Sequence, residues 1–263
     1  MQFSRKALGI PYGIFLFLFV IAPLLVLLYF AFTNSDGQFC ITNLTAFFTN
    51  PNMLGTLCYS FALAFVSTVV CLLLAYPTAY FLATSKLKSK VVILMLFVMP
   101  MWINFSLRIT ALKEILTAIE GNLAFYPFLN SVLGMTYDFL PFMILPIYNT
   151  IEKIPGDLTE AARDLGATDG SAFLHVTLPL SLPGIISGVS MVFLPAMTNY
   201  VVLDMLYNST YIMGSLIGSY FASYNWHGGS MIALILLGII CVVTLMTNRL
   251  GEDTNAPRGG AIL

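Results

Sequence analysis

Apolar residues fill this chain in long blocks, and polar residues collect in short interruptions between them. A helix needs about 20 apolar residues to cross a hydrocarbon layer about 30 Å thick. Six stretches meet or approach that length: Tyr12 to Thr33, a segment within Thr56 to Ser85, Val91 to Leu107, a segment within Ala124 to Ile151, Gly184 to Tyr207, and Ser230 to Asn248. The first follows Arg5 and Lys6, as a secretory signal would. Its apolar run exceeds the about 7–15 residues of a signal core, and no small-residue cleavage site follows, so it reads as a span. The pattern predicts an all-α integral membrane protein with six transmembrane helices in one domain, residues 1–250, and a short tail, residues 251–263.

Composition agrees with this. The chain is 59% hydrophobic and 9% charged, with mean hydropathy +0.90. A soluble domain carries roughly 25% charged residues, so this chain could not cover its own surface in water. A net charge of −1 leaves no electrostatic footprint for a nucleic acid. Cys40, Cys58, Cys71 and Cys241 form no CxxC pair or metal-ligand spacing and read as small hydrophobes. His175 and His227 fall on opposite sides of the predicted membrane, which argues against a shared metal site.

Positive charge sets the expected orientation. With the N-terminus inside, nine Lys/Arg are cytoplasmic (Arg5, Lys6, Lys86, Lys88, Lys90, Lys153, Arg163, Arg249 and Arg258), and only Arg108 and Lys113 are outside. Both termini are then cytoplasmic, in a multi-pass protein of the plasma or inner membrane. Prolines inside the spans, among them Pro100, Pro141, Pro146 and Pro195, free carbonyls that lipid cannot satisfy. Such breaks suit a transport bundle, where neighbouring helices or a wet cavity supply partners.

The longest charged cytoplasmic segment runs from Glu152 to about Pro183. Pro155-Gly156 breaks the chain, Asp157 is a candidate N-cap with Glu160 three residues on, and Leu158 to Leu165 should be helical. Gly166 is placed to end that helix. Thr168 or Asp169 can cap a second short helix reaching about Thr177, with Pro179 expected to stop it.

Glu160-Ala161-Ala162, then Gly166, then Val176-x-Leu178-Pro179 resembles the EAA loop of ABC importer permeases of the MetI-like, binding-protein-dependent type. Valine at 176 replaces the usual isoleucine. The resemblance implies that Glu160, Ala161, Ala162, Gly166, Leu178 and Pro179 form a coupling helix, between helices 4 and 5, that docks on an ATP-hydrolysing subunit. Small alanines let such a helix lie close to a partner. Glu160 could instead only cap its own helix. Further blocks, Pro100-Met101-Trp102 with Arg108, Leu140 to Tyr148, and Leu194 to Met197 with Asp204, are similar to the spermidine/putrescine permease branch. That similarity implies two different permeases, a dimer of ATPase subunits and an extracellular polyamine-binding protein. The chain lacks a GxxxxGK[ST] phosphate loop, so it is expected to be no enzyme and to hold no cofactor, with ATP bound by the partner.

Ionisable residues within spans are costly and point to function. Asp138 and Asp204 are candidates for a polycation path, with Trp102, Tyr137 and Tyr200 as cation–π faces nearby. Alternatively, both carboxylates pair with Arg108 or Lys113 and fix helix packing, and the aromatics are interfacial anchors. Glu114 and Glu120 share the external loop with Arg108 and Lys113, where docking of a binding protein and plain solvation both fit. Rival readings are a permease of the same class for an iron complex, thiosulfate or a sugar, and an ion-coupled secondary transporter. A membrane enzyme is disfavoured, because no nucleophile, base or metal constellation is visible.

Overall fold

The computed structural model describes residues 9–207 and 212–255. These are helical apart from turns and one isolated antiparallel bridge, Thr33 to Phe39. Arg5, Lys6, Arg258 and the tail beyond Asn255 lie outside the described residues. In chain order the helices are α1 (Pro11–Ala31), α2 (Thr42–Thr49), α3 (Pro51–Thr84), α4 (Lys90–Trp102), α5 (Phe105–Glu120), α6 (Pro127–Ile151), α7 (Gly156–Asp164), α8 (Asp169–Thr198), α9 (Val201–Tyr207), α10 (Met213–Ala222) and α11 (Trp226–Asn255). Five, α1, α3, α6, α8 and α11, are long and apolar enough to cross a membrane. The bent pair α4–α5 makes a sixth if it counts as one span.

The chain divides into two compact units. One holds the chain up to Cys58 together with Met213–Cys241, the other Tyr59–Ile212 with the chain from Val242 onward. In the first, Asn43 of α2 donates its side-chain amide to the carbonyls of Ala31 (3.1 Å) and Thr33 (3.3 Å). His227 of α11 sits 3.0 Å from the Phe30 carbonyl and meets the Phe30 ring edge-on. The Asn43 amide thereby supplies donors where the intrahelical ones run out at the end of α1.

The second unit is built on α6, the most enclosed of the candidate spans, and α8. Gly184 and Gly188 of α8 let the two backbones approach. A Cβ on Gly184 would stand 2.6 Å from Thr150 Oγ1, and one on Gly188 would stand 2.6 Å from Met143 Sδ. Small residues one turn apart are how membrane helices gain close packing without a hydrophobic drive. Gly134 of α6 receives Val202 and Leu206 of α9 in the same way.

Three expected helix ends need correction. The third span was expected as one helix from Val91 to Leu107. Instead α4 tightens to a 3₁₀ turn over Met99–Trp102 at Pro100, and Ile103 is extended. Asn104 then caps a new helix by accepting from the Ser106 N–H at 2.9 Å, and α5 leaves at 99° to α4. The fifth span was expected to reach Tyr207. It ends at Thr198, with Asn199 outside helical geometry, and α9 is a separate short helix. Finally, Pro179 was expected to stop the second loop helix, but α8 runs through it.

The reason is a widened π-turn over Phe173–Thr177, in which the Leu178 N–H bonds back to the Phe173 carbonyl. A proline ring clashes with the carbonyl four residues earlier, and the wider turn relieves that clash. The same device precedes Pro23 in α1, where the Ala22 N–H bonds to the Phe17 carbonyl.

Candidate functional site

The segment that resembles the EAA pattern is α7, a glycine turn and the start of α8. Pro155 precedes α7, and Asp157 lies in its first turn rather than capping it. There the carboxylate still complements the helix dipole. At the other end Gly166 has φ +89°, its N–H bonds to the Arg163 carbonyl, and the Ala167 N–H bonds to the Ala162 carbonyl. This is the Schellman arrangement, which needs a left-handed residue after the helix. Thr168 Oγ1 then accepts from the Ser171 N–H at 3.3 Å and caps α8, and Arg163 Nε meets Asp169 Oδ1 at 2.8 Å across the turn.

The loop presents its residues outward. Glu160 and Ala161 are exposed, Ala162 is half-buried, and Leu165 beside Gly166 is 90% exposed. Leu178 is half-buried and Pro179 exposed on the first turns of α8. Beneath α7 lies a cavity of about 380 Å³, lined by residues that include Tyr80, Lys86, Glu152, Glu160 and Arg163.

Two sets of contacts join this end to the spans. Phe173, in the π-turn, meets the rings of Tyr76 and Tyr80 of α3 edge-on, at 5.9 and 5.2 Å, and the Tyr76 hydroxyl lies 3.0 Å from Ser181 Oγ. Glu152, just past α6, accepts from the Tyr148 hydroxyl at 2.8 Å and pairs with Lys90 of α4 at 3.1 Å. Those two donors, the Tyr148 hydroxyl foremost, hold the Glu152 carboxyl below its ordinary pKa.

The five candidate path residues differ in exposure. Trp102 is 78% exposed at the α4–α5 corner. Tyr137 and Tyr200 are moderately exposed. Asp204 is exposed on α9, opposite the face formed by Val202, Leu203 and Leu206, and has no ion-pair partner among the described residues. Asp138 is buried, with Oδ1 accepting from Arg108 Nη2 at 2.8 Å. The sequence expectation for Arg108, an external loop, was wrong, because it is buried in the first turn of α5. The available signal was that Arg108 is the sole charged residue between Val91 and Leu112.

Five helices long and apolar enough to cross a membrane, with a sixth span if the bent pair α4–α5 counts as one, define a multi-pass membrane protein. A family model described as "Binding-protein-dependent transport system inner membrane component" matches residues 10–252, and the chain belongs to that family. It is 35% identical to the spermidine/putrescine transport system permease protein PotB of Haemophilus influenzae, covering 95% of each chain. It is 32% identical to PotB of Escherichia coli K12, covering 89% of this chain and 94% of that one. Among solved structures, a bacterial alginate ABC transporter with its pentasaccharide-bound periplasmic protein matches with TM-score 0.75 at 13% identity, covering 95% of this chain and 94% of that one. An inward-facing MetNI methionine ABC transporter matches with TM-score 0.61 at 16% identity over 77% of this chain and 95% of that one. At these identities the structures share the fold.

Proposed function

We propose that this chain is the membrane-spanning permease subunit of an ATP-driven importer of spermidine and putrescine. The observation that carries the reading is its 35% identity, over 95% of its length, to a permease named for those substrates. The exposed loop around Glu160, Ala161, Ala162 and Gly166 supports the coupling part of the reading. In this account the loop docks on an ATPase subunit, and the end bearing Lys86, Lys90, Lys153 and Arg163 faces the cytoplasm, as positive charge favours. The chain has no phosphate loop, so ATP binds and is hydrolysed in the ATPase dimer. A second permease completes the path, and an extracellular binding protein delivers the cargo.

ATP closes the ATPase dimer and pulls α7, and α8 carries that movement into the α6–α8 core. The bundle then alternates between outward and inward openings, a two-state element biased from one end. Asp204 and Asp138 supply negative charge for the ammonium groups, and Trp102, Tyr137 and Tyr200 supply π-faces.

The test is ATP-dependent uptake of radiolabelled spermidine into proteoliposomes holding this chain, its partner permease and its ATPase, with the binding protein added. Gly166→Pro is the uncoupled control. Uptake that needs ATP and fails in the control supports the reading. Binding-protein-stimulated ATP hydrolysis without spermidine uptake would keep the permease and discard the substrate. Uptake by this chain alone on a proton gradient would overturn both.

A further inference from the structure

Resting on the polyamine reading above, we propose that Arg108 is a built-in counter-ion that occupies Asp138 until an alkylammonium group of the cargo replaces it. Arg108 is 8% exposed and Asp138 5% exposed, so this is a nearly dry ion pair in a membrane-embedded helix. A single hydrogen bond, Nη2 to Oδ1 at 2.8 Å, joins them. Arg108 Nε and Nη1 are also buried and have no hydrogen-bond partner among the described residues. A guanidinium offers five donors in a planar fork, and its strong carboxylate pairs are commonly bidentate. Here the carboxylate charge is cancelled while the guanidinium stays under-bonded. That is an incomplete arrangement for a purely structural ion pair, since a half-satisfied polar site gains less than a fully bonded one.

An exchange resolves it. A primary ammonium carries the same charge in a smaller volume, with three donors. Replacing guanidinium by ammonium on Asp138 leaves the net charge of the buried site unchanged, so no additional charge is desolvated. Arg108 can also leave without unfolding its helix. It sits four residues after Asn104, at the non-helical break where α5 turns 99° from α4, so a rigid swing of α5 about Ile103–Asn104 lifts the guanidinium off α6. It is the sole ion pair between α5 and α6 among the described residues. With Arg108 in place, the path presents no net charge at Asp138 and holds no cation there. With Arg108 displaced, the carboxylate takes the cargo, and the returning guanidinium expels it.

The test uses the assembled transporter in proteoliposomes, reading KM and kcat for spermidine uptake and the melting temperature of each variant. Arg108→Gln removes the internal competitor. It is expected to lower KM about tenfold and to slow turnover, as removing a competitor that leaves about one tenth of the sites open would do. Asp138→Asn is expected to raise KM by a similar factor. The charge-free double variant, Arg108→Met with Asp138→Leu, should keep the raised KM of Asp138→Asn, and Arg108→Lys should stay near the parent. If both single variants lose uptake alike and the charge-free double restores parent kinetics, the pair serves packing alone and the proposal is overturned. Should Arg108→Gln fail to assemble, the double variant decides: a raised KM supports the proposal, and a parental KM overturns it. Absence of spermidine uptake by the parent itself, with a working ATPase, instead marks failure of the polyamine reading, and the counter-ion role falls with it.

Discussion

Replacing Gly184 with alanine adds one methyl group to the face of α8 that lies on α6. That carbon would stand 2.6 Å from Thr150 Oγ1, 2.7 Å from Thr150 Cβ and 2.8 Å from the Pro146 carbonyl oxygen. Carbon atoms at rest sit about 3.5–4.0 Å apart, so a shift approaching 1 Å is needed. Rotating Thr150 relieves the Oγ1 contact alone, since its Cβ and the Pro146 carbonyl belong to the α6 backbone frame. Overpacking of this kind costs about 1–3 kcal/mol. Displacing the Thr150 hydroxyl from the Pro146 carbonyl, now 2.8 Å away, costs about 1 more. Alanine returns about 1 kcal/mol of helix propensity, leaving a net loss of about 1–3. Thermal unfolding of the purified chain in detergent, with SDS titration as a second probe, measures it. Gly218→Ala in α10 and Gly238→Ala in α11 are internal controls, because nothing lies within 4 Å of a Cβ at either. They should be neutral or stabilising by up to about 1 kcal/mol. Should Gly184→Ala match the controls, α6 and α8 do not approach as described and the reasoning fails.

Other consequences are directly measurable. Gly166→Ala forces an L-residue to φ +89°, at about 1–2 kcal/mol, and should unwind the turn after α7. Protease cleavage at Leu165 should accelerate, and spermidine uptake should fall further than the melting temperature. Asp204→Asn should raise the KM for spermidine with little change in melting temperature, because Asp204 is exposed and makes no ion pair among the described residues. An equal loss of stability would make it structural. The Glu152 carboxyl has a depressed pKa in the folded state, so its contribution is present above the unfolded value and fades as pH falls through the folded one. Lys90→Met should therefore lower the melting temperature at neutral pH, and the difference should narrow below about pH 4. A difference independent of pH would refute that assignment.

Much of this architecture was legible because lipid imposes a length on apolar runs, and the blocks of α1, α3, α6 and α11 are long enough to show it. The short-helix loop around α7 was legible for a local reason: Pro155, Gly166 and Thr168 are boundary residues whose backbone preferences act over one turn. What escaped depended on longer-range geometry. Asn104 looks like one polar residue in an apolar run, and only the extended Ile103 before it turns it into a cap and a 99° corner. Pro179 reads as a stop unless the preceding turn widens, and a five-residue π-turn leaves no pattern in hydropathy. Among candidate path residues, the sequence offered both outcomes for Asp138. Only the buried position of Arg108, on a helix the sequence placed in an external loop, selects the ion pair.

The uninterrupted course of α8 bears on how force would travel. A loop helix ending at Pro179 would leave a flexible joint between the α7 loop and the span. With the π-turn bridging that proline, α8 from Asp169 to Thr198 is one rod, and its first turns rest on α3 through Phe173 against Tyr76 and Tyr80. Each aromatic pair contributes about 0.5–1.5 kcal/mol beyond area burial. Phe173 is half-buried, so Phe173→Ala should cost about 1–3 kcal/mol, within the transfer value of a fully buried ring. If these rings pass movement from α8 to α3, Phe173→Ala should cut spermidine taken up per ATP hydrolysed, with ATP hydrolysis itself largely kept. Phe173→Leu, which restores most of the volume without the ring edge, should recover stability more fully than coupling. Were both variants to lose stability while keeping uptake per ATP at the parent value, the ring contacts would be packing alone, and the rod would act on the core through α6.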